Sequence, residues 1–452
     1  MPTSFAELRG QYPAFHYHGY AIAREADAIV LRFDFSIPGL CEFHPQTRIA
    51  TGNLALQNAF DSPMAQKIVF ALGMVEAVSY WKCACPPRFV VECGALDAAQ
   101  IDFWKALWFH GLGEFFYCNG IQTDYDSFVM IEAPQSGENE PQTAYNSAGL
   151  NLIPVGGGKD SCVTMELLRG EKEKNWFFTV NDQPARRDCV CAAGYNETRI
   201  VAAQRSIDRA LLDCNAQGFL NGHTPFSAIV AFLSHYCAYL IGAEHVVLSN
   251  ESSANEANLS GSEVNHQYSK SIAFETDFRD YVQRYLQPEI QYFSLLRPWN
   301  ELQIARRFMA VPQYHAAFRS CNAGSRQNIW CGKCAKCLFV YAMLSAFADA
   351  QPLLGTNLLN NEALTADFDG LCGFTELKPF ECVGTAAEVR AALALYAKRK
   401  QGETEPLLQR FLARVDLPQT LREVDELLRE WNNEHHIPPR FAAITEEMKR
   451  FG

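Results

Sequence analysis

Between residues 149 and 169 the chain passes from a short apolar run, Gly149-Leu150-Asn151-Leu152-Ile153-Pro154-Val155, through three consecutive glycines into helical periodicity. A strand that feeds a helix through Gly156-Gly157-Gly158-Lys159-Asp160-Ser161 constrains the fold more than any other segment. Glycine lets backbone N–H groups approach a ligand closely, and a helix start supplies unpaired, positively polarised N–H groups, so the turn suits an anion. Ser161 adds a hydroxyl donor and Lys159 a charge that can meet phosphate. Asp160 would repel that ligand unless it caps the helix or binds a metal. The Walker pattern, which closes on Gly-Lys-Ser/Thr, is absent, and so is the dinucleotide fingerprint.

The surroundings of the loop repeat its logic. Trp176–Val180, Arg199–Ala203 and His245–Ser249 read as strands, and Phe226–Leu240 as an apolar helix. Strands alternating with helices indicate βαβ units and a parallel sheet with helices on both faces, an α/β fold. Ahead of them, residues 14–50 read as short strands. Apolar positions three and four apart between Leu54 and Tyr80 predict a helix, and Phe103–Phe109 an aromatic helix face belonging to the core. The polar, turn-rich stretch Ala133–Gln142 marks a boundary. Beyond Gly384 the chain turns helical, with Thr385-Ala386-Ala387-Glu388 and Thr420-Leu421-Arg422-Glu423 both matching the capping box. The expected organisation is an N-terminal α+β domain over 1–145, the glycine-loop domain over 146–345 and a helical region over 346–452. With about 150 residues per domain, 452 residues fit that division.

Sixteen cysteines stand in a chain that opens without a basic, apolar leader, so reduced thiols and a cytoplasmic setting are expected. No apolar run reaches the ~18 residues of a membrane span. Cys93, Cys118, Cys214 and Cys237 lie singly on apolar stretches and read as small core residues. Cys321, Cys331, Cys334 and Cys337 do not. Their C-x9-C-x2-C-x2-C spacing suits one tetrahedral ion gripped by a knuckle and closed from a preceding loop, a structural zinc site with no open position. The net charge, 39 − 51 = −12, argues against a nucleic-acid-coating protein.

The glycine loop resembles the Ser-Gly-Gly-x-Asp-Ser loop of PP-loop ATP pyrophosphatases, with Gly156 where that group usually has Ser. The resemblance implies the PP-loop (HUP-like) version of the parallel sheet, in the adenine nucleotide alpha hydrolase-like group. Similar cysteine knuckles occur among the pyrophosphatases that make 7-cyano-7-deazaguanine. Further polar stretches, Phe219–Ser227, Leu248–Glu256, Val264–Ser271, Tyr292–Pro298, Phe318–Asn322 and Lys378–Thr385, narrow the resemblance. Together with the loop and the knuckle, from about Tyr80 to Thr385, they are similar to the MurL-type UDP-N-acetylmuramoyl-L-alanyl-L-glutamate epimerases.

That resemblance implies an ATP-dependent inversion of the terminal L-Glu of a UDP-linked muramoyl dipeptide, with release of AMP and pyrophosphate. Converting the carboxylate to an acyl-adenylate removes the charge that would oppose an α-carbanion, so a base can act at neutral pH. Gly156, Gly157, Gly158, Lys159, Asp160 and Ser161 are the expected ATP binders, with Mg2+ bridging the phosphates. Asn250, Asn255, Lys270, Arg297 and Arg319 are the candidate phosphate and carboxylate binders, because an acidic chain must gather cations around two anionic substrates. For the proton transfer, His223, His266, Glu251 and Tyr268 are candidates, with Lys270 and Cys382 as further possibilities; the spacing does not choose among them. The competing reading is a PP-loop enzyme that adenylates a nucleobase, a 7-cyano-7-deazaguanine synthase or tRNA thiolase. A zinc-held scaffold without activity is the third. No nucleic-acid or membrane partner is expected.

Overall fold

The computed structural model describes residues 4–135, 144–259, 264–400 and 404–451. Among them, eleven strands join in one sheet: β1 (Ala14–Arg24), β2 (Ala28–Ile37), β3 (Cys41–Phe43), β4 (Gln46–Ala50), β5 (Arg88–Val91), β6 (Met130–Glu132), β7 (Leu150–Pro154), β8 (Asn175–Val180), β9 (Ile200–Arg205), β10 (Ala243–Leu248) and β11 (Gln291–Ser294). The spatial order is β11-β10-β7-β8-β9-β4-β2-β1-β5-β6, with β3 added beside β2. Strands β11 to β9 are all parallel, as their crossover helices require. Counted within this group, the first strand in sequence sits at the centre and the order is 3-2-1-4-5, a doubly wound arrangement.

Residue 145 does not divide the sheet. β4 pairs antiparallel with β9, Thr47 opposite Arg205 and Ile49 opposite Ala203, so the N-terminal strands continue the parallel group. The buried ion pair of Arg205 with Glu76, on the helix Pro63–Trp81, pins the same seam at 2.7 Å. The turn-rich stretch expected as a boundary lies, from residue 136 to 142, outside the described residues.

Period-two alternation decides which helices cover which face. Leu152, Phe178, Val246 and Leu248 point to a core built with the helices Pro63–Trp81 and Phe226–Ile241. Ile153, Val155, Phe177, Val247 and Phe293 point to the other, built with Lys159–Leu167, Glu301–Met309, Ala335–Ser345 and Ala386–Arg399. The parallel strands are therefore buried on both sides, which is why they read as nearly continuous apolar runs. The aromatic face of Ala98–Gly111 is core, with Trp104 and Trp108 fully buried. No described helix is long and apolar enough to cross a membrane.

Two local expectations need correction. The capping box at Thr385 forms, with both reciprocal hydrogen bonds, but Thr420 lies inside the helix Leu417–Arg429, whose cap is Asp416. Asp416 precedes a Pro at the first turn, and that combination outcompetes a Thr four residues on. Cys214 and Cys237 are buried as expected and Cys93 is half-buried, whereas Cys118, at the end of the short helix Gly113–Cys118, is exposed.

Candidate active site

Connections leave β7 for β8 on one side and, later, β10 for β11 on the other, so a crevice opens at the carboxyl ends of β7 and β10, where open α/β sheets bind ligands. A cavity of about 450 Å³ occupies that position. Its floor is the strand ends Pro154, Val155, Phe178, Val180, Leu248 and Ser249, and its wall is the glycine loop.

The loop is shaped by its glycines. Gly157 adopts φ +85°, a left-handed conformation that glycine reaches without strain. A Cβ on Gly158 would sit 2.7 Å from Ser320 Oγ, whereas nothing lies within 4 Å of one on Gly156. The backbone at Gly156 therefore faces open space, where a ligand can approach. Gly158 caps the helix Lys159–Leu167 with no side-chain acceptor, which leaves first-turn N–H groups for an anion. Arg319 N donates to Gly157 O at 2.7 Å and ties the loop to the segment that precedes the cysteines.

Several predicted residues line this one cavity: Gly156, Gly158, Asp160, Ser161, His223, Asn250, Glu251, His266, Lys270 and Arg319. Burial favours the protonated acid at Asp160, but Lys159, Lys336 and Lys270 outweigh it and hold the carboxylate ionised. Five other expected residues lie elsewhere. Gly157 shapes the loop from behind. Lys159 is 1% exposed, its ammonium buried between Asp160 and Glu301, so it neutralises carboxylates rather than meeting a phosphate. Arg297 is completely buried; its guanidinium donates to Glu275 at 3.0 Å, to Glu251 O at 2.7 Å and to Lys270 O at 2.6 Å. It holds two site loops together from beneath. Asn255 is exposed and accepts from Ile272 N, capping the next helix region. Tyr268 packs on His110 and Phe274, with burial pushing its hydroxyl pKa up.

Other residues at or beside the cavity were not singled out individually from the sequence. Lys336, between two knuckle cysteines, reads as part of the metal motif; it reaches back to donate to the Cys382 carbonyl. Arg186, Ser320 and Asn322 also line the wall. Glu114 is a single charge in an aromatic run, and that isolation is the one cue to it. Its carboxylate bonds His266 Nδ1 and lies 3.3 Å from His223 Nδ1, with the two rings 4.4 Å apart.

Cys382 lines the same cavity as His266, whose imidazolium is one of the cations that favour its thiolate. Its loop is clamped at the backbone. Lys378 N donates to Asn258 O at 2.8 Å, Asn258 Nδ2 to Pro379 O at 2.9 Å, and Gln267 Nε2 to Val383 O at 3.0 Å. Burial favours the neutral thiol, yet Lys270, His266 and Lys336 lower Cys382 to about 5. Burial likewise opposes the charge on His266, but Cys382 and Glu114 raise it to about 9. At His223, burial and the charge on His266 outweigh the pull of Glu114 and lower it to about 4. One imidazole is thus charged and its neighbour neutral across the physiological range.

The four knuckle cysteines converge. Their sulfurs lie within 4.8 Å of one another, with Cys321–Cys334 at 4.0 Å and Cys331–Cys337 at 3.8 Å. A tetrahedron with Zn–S bonds of about 2.3 Å has edges of about 3.8 Å, so the donor set fits Zn2+. Gly324 N and Cys331 N both donate to Cys321 Sγ, at 3.1 and 3.4 Å, the pattern that steadies a thiolate. The ion would lock residues 321–337, and with them Arg319, Ser320 and Lys336, against the glycine loop.

Comparisons with known proteins agree in direction. The MurL N-terminal domain family matches residues 6–295 and the MurL C-terminal domain family residues 316–426. The chain is 35% identical to a UDP-N-acetyl-alpha-D-muramoyl-L-alanyl-L-glutamate epimerase of Xanthomonas oryzae pv. oryzae, over 83% of this chain and 84% of that one. A protein of the same name from a Micromonospora species is 32% identical over 91% and 93%, and one from Salinispora tropica 33% identical over 85% of each. The cavity draws on both matched regions, the glycine loop, His266 and Lys270 from the first and Lys336 and Cys382 from the second, and the chain belongs to the MurL family.

Proposed function

We propose that this protein is an ATP-dependent epimerase that inverts the terminal L-Glu of UDP-N-acetylmuramoyl-L-alanyl-L-glutamate. The observation that carries the reading is one cavity lined both by the glycine loop at a helix start and by a group of titratable side chains. Adenylation of a carboxyl group and proton transfer at the adjacent Cα need those two sets side by side. The names of the relatives support the substrate.

In this reading the loop N–H groups, Ser161, Lys270, Lys336, Arg186 and Arg319 bind the anionic groups, and ionised Asp160 is suited to hold Mg2+. The glutamate α-carboxylate attacks the α-phosphorus of ATP and expels pyrophosphate. The resulting mixed anhydride no longer carries a charge beside Cα, so loss of the α-proton gives a stabilised enolate. Protonation of the opposite face inverts the centre, and water cleaves the anhydride to the D-glutamyl product and AMP. The oriented cavity supplies pre-paid proximity between anhydride and base.

The test is incubation with ATP, Mg2+ and the UDP-muramoyl dipeptide in D2O. AMP, pyrophosphate and deuterium at the glutamate α-carbon are expected in step. Nucleotide turnover without deuterium would transfer the reading to adenylation of a nucleobase. No turnover of any nucleotide would leave a zinc-held scaffold.

A further inference from the structure

Cys382 is the reduced thiol that the cavity surrounds with cations. The charged groups that act on it most strongly come from several elements. Lys270 comes from the turn before the helix that starts at Ile272, His266 from the turn before that, Lys336 from the helix Ala335–Ser345, and Glu381 is its own neighbour. Glu114 bonds His266 Nδ1 and so fixes its ring, as the third member of a nucleophile triad fixes its imidazole. Lys270 interacts with Cys382, Glu251 and Asp160 alike, so the thiol shares its cation with the glycine loop. The loop carrying Cys382 is anchored to Asn258, Gln267 and Lys336, which fixes its position in the wall.

We infer that Cys382 is the base that removes the glutamate α-proton, as a thiolate paired with the His266 imidazolium that Glu114 orients. The inference rests on the epimerase reading and adds the identity of the reacting group. In the step, the Cα–H bond breaks and an S–H bond forms. The released electron pair moves onto the acyl oxygen of the adenylate, and His266 stays protonated. Water entering the open cavity returns a proton to the opposite face, and the hydroxide left behind takes the proton from the Cys382 thiol. The thiolate is thereby restored. His266 touches no reacting atom in this scheme; it is a positioning residue that keeps the thiolate populated.

The half-reactions can be read separately. In Cys382→Ser, ATP–pyrophosphate exchange driven by the dipeptide is expected to stay within about threefold of the unmodified protein, while α-deuterium incorporation falls at least 100-fold. Deuterium incorporation within tenfold would overturn the inference, and so would loss of pyrophosphate exchange in step with it, which would make Cys382 a binding group. A second measurement needs no turnover: the rate of Cys382 alkylation by iodoacetamide against pH. Half-titration near pH 5 is expected, moving upward in His266→Gln, and the acidic limb of the deuterium-exchange profile should move with it. An ordinary thiol titration near pH 8.5 in the unmodified protein would also overturn it. If the unmodified protein shows no pyrophosphate exchange, the epimerase reading fails, while the alkylation profile still reports on the ion pair.

Discussion

Arg297 offers a sharp test, because sequence and structure assign it different work. Its guanidinium is fully buried against Glu275, itself 1% exposed, and also carries the carbonyls of Glu251 and Lys270. Arg297→Met removes the cation but leaves Glu275 in the interior, where Ser294 donates to it at 2.6 and 3.2 Å. Removing one partner of a buried pair costs about 3–5 kcal/mol, because the remaining charge has lost its compensation. At about 2–4 °C per kcal/mol, thermal unfolding should shift down by about 6–20 °C. Adding Glu275→Gln to the same chain should recover part of that loss, since no uncompensated carboxylate remains. The assay is a melting curve of each variant alongside its KM for ATP. A shift below 2 °C together with a KM raised more than tenfold would refute the structural assignment and return Arg297 to phosphate binding.

Other expectations follow from the same geometry. Gly158→Ala places a methyl 2.7 Å from Ser320 Oγ and should suppress ATP–pyrophosphate exchange, with Gly158→Ala/Ser320→Ala regaining part of it; equal loss in the double variant would exclude the clash as the cause. Metal analysis should find about one zinc per chain, and Cys334→Ser should lower both the zinc content and the melting temperature; a folded protein with no metal would refute the knuckle. Asp369 is held below the usual carboxylate range by its hydrogen bonds to Arg410 and by Arg414. A depressed folded pKa adds stability above the unfolded value that is lost as pH falls, so Asp369→Asn should melt lower than the native chain at pH 7 and converge with it in acid. A gap that persists unchanged below pH 3 would contradict that linkage.

Much of the fold was legible because burial on both faces leaves a mark in sequence. The strands β7 to β10 and the helix Phe226–Ile241 fall within a residue or two of where apolar runs and periodicity put them. The Thr385 box is a local device, and it forms as read. The Thr420 box has the same letters and fails, since Asp416 and the following Pro start that helix earlier. Among site residues, the glycine loop and the knuckle were legible because their spacing alone implies their geometry. Lys159 and Arg297, expected as phosphate binders, are buried in ion pairs, and an exposed cation and a buried, paired one look alike in sequence. Arg186 had no local signature, Lys336 read as part of the metal motif, and Glu114 showed only its isolation in an aromatic run.

By itself the sequence determined a strand–glycine–helix turn, a cluster of four cysteines and alternating β and α elements, each a matter of neighbours within some twenty residues. Tertiary structure alone decided that β4 closes onto β9 and makes one sheet of two apparent domains. It also decided that His266, Lys270, Lys336 and Cys382 meet in one cavity, with Glu114, 268 positions before Cys382, bonded to His266. The reason is physical: a thiol's charge is set by the cations and the burial around it, and those come from segments far away in the chain.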